Sequence, residues 1–125
     1  MTIILYGIAN CDSVKKARAF LAENKVAYTF HDYKKQGVPE ADLRIWVSEK
    51  GWETMLNRKG TTWRGLDEAT KATVINAETA MAVMLANSST IKRPVIVSGA
   101  TIIVGVDFDA LAKLSTQFGN TTGSF

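Results

Sequence analysis

Tyr6-Gly7-Ile8-Ala9-Asn10-Cys11-Asp12-Ser13-Val14-Lys15-Lys16-Ala17 is the stretch on which the reading of this chain turns. Ahead of it, Thr2 to Tyr6 is a short β-prone apolar run that ends at Gly7. Behind the loop, Val14, Ala17, Phe20 and Leu21 recur at three- and four-residue intervals, while Lys15, Lys16, Arg18 and Glu23 take the other face. That spacing predicts a helix over Ser13 to Glu23 with one packed side and one wet side. Asn24-Lys25 closes it, and Val26, Tyr28 and Phe30 alternating with Ala27, Thr29 and His31 predict a second strand over Val26 to Tyr33. Strand, helix and strand in this order make a parallel βαβ unit.

Further along, Gln36-Gly37-Val38-Pro39 punctuates the chain, and helical segments follow over Pro39 to Lys50, Gly51 to Leu56, Leu66 to Ala72 and Glu78 to Ala86. Ile45, Trp46, Trp52, Met55, Leu56 and Trp63 are the large apolar bodies expected to pack this helical insertion. Ile91-Lys92-Arg93-Pro94 then leads into Val95-Ile96-Val97, a Ser98-Gly99-Ala100 turn and Thr101 to Val104, which reads as a β-hairpin. Asp107 can cap a last helix through Leu114, with Phe108, Leu111 and Leu114 inward. The expected organisation is a single domain over 1–118, with an insertion at about 36–89 between parts at about 1–35 and 90–118, and a flexible tail at 119–125.

Composition narrows the chemistry. A chain of 125 residues with 46% hydrophobic and 22% charged residues fits one soluble domain with a buried core. Its net charge of +3 is spread along the chain, which gives no electrostatic footprint for nucleic acid. One cysteine excludes an intramolecular disulfide, and with one histidine it leaves too few soft ligands for a structural zinc. No metal and no bound cofactor are expected. No stretch approaches the roughly 20 apolar residues of a membrane span, and Met1 to Tyr6 lacks a basic leader. The expected compartment is the cytoplasm, where a thiol stays reduced.

A βαβ half, a helical insert and a ββα half, with the cysteine between the first strand and first helix, is the architecture of a thioredoxin-like α/β fold with a small mixed sheet. A thiol at a helix N-terminus faces unpaired N–H groups and the positive end of the helix dipole, which favour the thiolate. Lys15 and Lys16 add positive potential, whereas Asp12 opposes it. The alternative is a small buried hydrophobe, but a loop position off any periodic apolar face favours a reactive thiol.

In such a sheet a proline immediately before the third strand brings Arg93 beside the first helix N-terminus, where its guanidinium can fork two hydrogen bonds onto an oxyanion or carboxylate. An exposed loop arginine is the competing reading, and a cis bond at Pro94 is expected by fold analogy alone. Asn57 to Arg64 carries three cations around Gly60 and reads as a second wall of the site or as a solvated loop capping a short helix. His31 is expected at the rim.

These segments, together with His31-Asp32-Tyr33, Gly51-Trp52-Glu53, Leu56 to Arg64 and Ile91-Lys92-Arg93-Pro94, resemble the Spx/arsenate reductase family in order from about Thr2 to Leu114, closest to its YffB-type branch. The resemblance implies a thioredoxin-like fold with a helical insertion, a nucleophile at Cys11 and an arginine before a cis proline at Arg93. The site it implies is Cys11 as the catalytic residue, with Arg93, Lys15, Arg58, Asn10 and Pro94 around a bound anion.

In the family's arsenate reductases the cysteine attacks the oxyanion, glutathione releases the reduced arsenic, glutaredoxin recycles the mixed disulfide, and three arginines line the site. Arg93 matches one arginine, and the second falls at Asn57 or, with a one-residue shift, at Arg58. The third has no counterpart, because the hairpin end reads Ile103-Val104-Gly105-Val106. Losing one charge-assisted contact of about 1.5–3 kcal/mol weighs against arsenate. Spx regulators, which bind RNA polymerase, carry a second cysteine three positions on, where this chain has Val14. The expectation is therefore a monomeric, glutathione-dependent thiol reductase resolved by glutathione or another small thiol, with glutaredoxin a further partner. The alternative is a non-catalytic Spx-like regulator that binds RNA polymerase or another protein.

Overall fold

Four strands and eight helices follow one another in the computed structural model, which describes residues 2–123 and side chains to residue 116. The order is β1 (Ile3–Gly7), α1 (Asp12–Glu23), β2 (Thr29–Asp32), α2 (Tyr33–Gln36), α3 (Glu40–Lys50), α4 (Trp52–Met55), α5 (Thr61–Arg64), α6 (Glu68–Ala72), α7 (Ala77–Ala86), a 3-10 turn (Ser88–Thr90), β3 (Val95–Ser98), β4 (Thr101–Val104) and α8 (Phe108–Gly123). Contacts divide the chain into two compact units. One combines the chain up to Asp32 with that from Arg93 onward, and the other spans Tyr33–Lys92.

The first unit is a mixed sheet of order β2-β1-β3-β4, with β1 parallel to β2 and antiparallel to β3, and β3 antiparallel to β4. This is the thioredoxin-like arrangement. Strand alternation sorts the side chains between the two faces. Leu5, Ile96 and Ile103 form one cross-strand row, and all three belong to a core with Val14, Ala17 and Leu21 of α1 and Leu111 and Leu114 of α8. The next row, Tyr6, Val95 and Val104, lies on the opposite face, where the Tyr6 ring packs at 5.0 Å, tilted by 42°, against His31, its register partner in β2.

Helix α1 ends in a left-handed turn that explains where β2 begins. Lys25 has φ 59°, its N–H donates to the Ala22 carbonyl, and the Val26 N–H donates to Leu21. Buried Val26 joins Leu21 in the core, the apolar contact that accompanies such a cap. Val26 thus completes the helix end, and β2 starts only at Thr29 and stops at Asp32, shorter than the alternation of Val26 to Tyr33 suggests. Helix α8 runs past Leu114 to Gly123, so the expected tail falls partly within it, while residues 124 and 125 lie outside the described residues.

In the second unit, Leu43, Trp46 and Val47 are the buried face of α3, and Met55, Leu56, Met81, Met84 and Ile91 are buried as well. Ile45, expected in the core, is 54% exposed, because it lies off the stripe that Leu43, Trp46 and Val47 define. Trp52 and Trp63 are half-buried. Backbone bonds from Asn57 N–H to Thr90 and from Lys92 N–H to Met55 tie the end of the insertion to its middle, just after α4. Among the described residues no helix is long and apolar enough to cross a membrane.

Candidate active site

Sheet register assembles the site. Tyr6 pairs with Val95, and the strands are antiparallel, so the chain leaving β1 toward Cys11 emerges at the same sheet edge as the chain entering β3 through Arg93 and Pro94. Their peptide bond is cis. The buried Pro94 carbonyl accepts a 2.8 Å hydrogen bond from Gly105 N–H, which joins the end of the hairpin to the same edge. Gly105, at φ 80°, is a site component that sequence reasoning left out. Its signal was a glycine directly after the last strand, where a left-handed turn is needed.

Cys11 occupies the N-cap position of α1 with extended backbone (φ −144°, ψ 124°), and its carbonyl accepts from Lys15 N–H at 2.9 Å. The sulfur does not form the tight capping bond of a serine or aspartate. Its contacts with the Val14 and Ser13 N–H groups act instead as local positive potential. The side chain is half-buried against the core, neither sealed nor fully exposed.

The ionisation of this thiol reflects opposed effects. Burial pushes its pKa up. The Arg93 hydrogen bond, the Val14 N–H, the Arg93 charge and the Ser13 N–H act the other way, and together they hold it below the ordinary thiol value. The structure thus brings the guanidinium and the sulfur together. Lys15 and Asn10 are exposed next to Cys11 in sequence, and the observed part of Lys15 in the cap is its backbone N–H.

Arg58 lies in the second unit. Its Nη2 is 3.7 Å from Glu53 Oε2, and its guanidinium sits 5.7 Å from the Trp52 ring centroid. Asn57 is occupied locally too, its Oδ1 accepting from Lys59 N–H. A recess of about 680 Å³ runs along the Glu40, Arg44, Ile45 and Glu49 face of α3 and contains neither cysteine nor histidine. Among the described residues no three His, Cys, Asp or Glu side chains gather as metal ligands would.

The arrangement favours the thiolate over the thiol. A thiolate at a helix N-terminus beside a guanidinium can attack an electrophilic sulfur or another soft oxidised centre.

The sequence and the fold have relatives among known proteins. The model described as the ArsC family matches residues 6–114. The structure of a YffB protein is 53% identical, covers 90% of this chain and 97% of its own, and superposes with a TM-score of 0.86. An arsenate reductase (ArsC) related protein from Brucella melitensis is 40% identical over 90% of this chain and 96% of its own, with a TM-score of 0.71. An uncharacterized protein of Haemophilus influenzae is 38% identical over 103 residues, 82% of this chain and 90% of its own length.

Proposed function

The chain belongs to the ArsC family of arsenate reductase-related proteins, and from that premise we propose that it is a glutathione-dependent thiol reductase acting through Cys11. The observation that carries the reading is the Arg93 guanidinium hydrogen-bonded to a half-buried, N-capping thiol whose pKa lies below the ordinary value.

The Cys11 thiolate attacks one sulfur of a disulfide that carries a glutathionyl group. The Cys11–sulfur bond forms, the original S–S bond breaks, and its electron pair leaves on the departing thiolate, which takes a proton from solvent. An external glutathione thiolate then attacks the mixed disulfide and returns Cys11 as thiolate. The net change is reduction of the substrate disulfide with oxidation of glutathione.

An external resolving thiol is needed because the chain has no second cysteine. Arg93 stabilises the attacking sulfur before the reaction and the departing Cys11 thiolate after resolution. Lys15 and Asn10, exposed beside the nucleophile, are the proposed contacts for the carboxylates of glutathione. Arg58, engaged with Glu53 and Trp52, carries no step. The compartment proposed is the cytoplasm, where reduced glutathione is available. Glutaredoxin would be a further reductant of the mixed disulfide.

Incubation with oxidised glutathione followed by intact-mass spectrometry tests the reading. A single glutathione adduct is expected on the wild type and none on Cys11→Ser. No adduct on the wild type, together with an alkylation midpoint near the free-thiol value of about 8.5, refutes it.

A further inference from the structure

Gly7 ends β1 with its backbone exposed to close approach. A Cβ built there would lie 2.6 Å from Val14 Cγ2, 3.5 Å from Cγ1 and 3.7 Å from Cβ, so the whole isopropyl group of Val14 rests on the glycine. Glycine's usual role does not explain this position. The glycines with positive φ are Gly37, Gly51, Gly99 and Gly105, whereas Gly7 is a strand residue paired with Asp32 in a conformation alanine can adopt. What the site requires is the missing side chain.

Val14 cannot easily yield. It is fully buried in the core with Leu5, Leu21 and Ile96, and a valine in a helix keeps essentially one χ1 rotamer. Contact distances between carbons are about 3.5–4.0 Å, so an added methyl at residue 7 would have to displace the first turn of α1 from β1 by roughly 1 Å. Val14 also bears one of the two N–H groups that face the Cys11 sulfur. The side chain that fixes the depth of the helix and a donor that serves the thiol therefore belong to the same residue.

We infer that Gly7 is a positioning residue for the nucleophile: by leaving room for Val14 it seats the first turn of α1 at the depth that puts the Ser13 and Val14 N–H groups beneath Cys11 Sγ. The inference rests on the reading of Cys11 as an activated nucleophile, and it assigns part of that activation to a strand residue that acts through Val14.

The test is the pH profile of Cys11 alkylation by iodoacetamide in wild type, Gly7→Ala and Gly7→Ala/Val14→Ala, with folding checked by circular dichroism. Gly7→Ala should move the midpoint toward that of a free thiol and lower the rate at pH 6.5 about tenfold, while the plateau rate at high pH changes little. In the double variant the alanine methyl takes up the space given up by Val14, and the midpoint should return to near the wild-type value. A folded Gly7→Ala protein with an unmoved midpoint overturns the inference, as does a folded double variant whose midpoint stays high. If Gly7→Ala does not fold, the double variant decides alone by the same criterion. An ordinary midpoint in the wild type would instead sink the activated-thiolate reading itself, so the two failures are distinguishable.

Discussion

The Cys11 site and the helical insertion are put together by opposite means. Cys11 and Arg93 come from distant parts of the sequence and meet because β1 and β3 are adjacent, antiparallel and in one register. Many polar contacts of the insertion are made within a turn or two of chain: Asp67 with Thr70, Asn76 with Thr79, Lys71 with Glu68, Arg58 with Glu53. The two arginines illustrate the difference. Arg93, placed by the sheet, changes the ionisation of another residue, whereas Arg58 is held by neighbours on its own segment. A reactive group gains from long-range assembly because its partners are fixed by a packed core, while local contacts contribute small and nearly independent increments.

The largest effect expected from breaking this contrast is that of Arg93→Ala. Removing the guanidinium leaves the burial of Cys11 unopposed except by the Val14 and Ser13 N–H groups. A hydrogen bond to a charged group contributes about 1.5–3 kcal/mol, so the equilibrium toward thiolate should weaken roughly 10- to 100-fold and the alkylation midpoint rise by about one to two pH units. Arg93→Lys should fall in between, because it keeps the charge and loses the planar fork.

The same interaction sets a pH dependence of stability. A thiol whose folded pKa is lowered stabilises the folded state fully above its unfolded value, about 8.5, and loses that contribution as pH falls through the folded value. The stability of the wild type relative to Cys11→Ser, measured by urea denaturation, should therefore grow as pH is raised through that window and be flat below it. A flat difference throughout would mean that burial cancels Arg93 and the two N–H groups, leaving no net preference of the folded state for the thiolate.

Much of this site was legible before the structure, and the reasons are local. A cysteine just ahead of a clear 3.6-residue period had to fall at a helix start, and Arg93-Pro94 directly before a β-branched run had to stand at a strand entrance. What the sequence concealed depended on packing. Val26 fits a strand by alternation, but the core claims it for the helix end, so β2 begins three residues later. Ile45 is hydrophobic and so invited burial, yet the angular position of Leu43, Trp46 and Val47 leaves it outside. Beyond Leu114, Ser115 to Gly123 are mostly weak helix formers with no apolar period, and nothing in them announces that α8 continues. Arg93 was expected beside Cys11 only through the sheet order of the fold, and the β1–β3 register is what places it there.

A middle-sized effect should come from the insertion's best-formed local device. Asn76 Oδ1 accepts from Thr79 N–H at 3.0 Å, while Thr79 Oγ1 accepts from Asn76 N–H at 3.1 Å, a reciprocal box that satisfies two donors at the start of α7. Asn76→Ala should cost about 1 kcal/mol in denaturant unfolding, the usual cost of losing a cap. The alkylation midpoint of Cys11 should be unchanged by it. A shift in that midpoint would break the division between long-range and local contacts.

The smallest effect is expected where the geometry looks strongest. Arg44 Nη1 lies 2.6 Å from Glu78 Oε1, and Nη2 lies 3.8 Å from Glu40 Oε2, which would suggest a clamp between α3 and α7. Yet the Arg44 side chain is 53% and that of Glu78 71% exposed, so water and salt screen the pair and ordering two long side chains offsets the attraction. Glu78 raises the Arg44 pKa, but an arginine is already charged at every working pH, so whatever the screened pair contributes does not vary with pH in that range. Arg44→Ala should therefore leave the urea midpoint unchanged at low and at physiological salt. A loss as large as that of Asn76→Ala, disappearing on addition of salt, would show instead that a short surface ion pair between helices holds the insertion as firmly as its caps do.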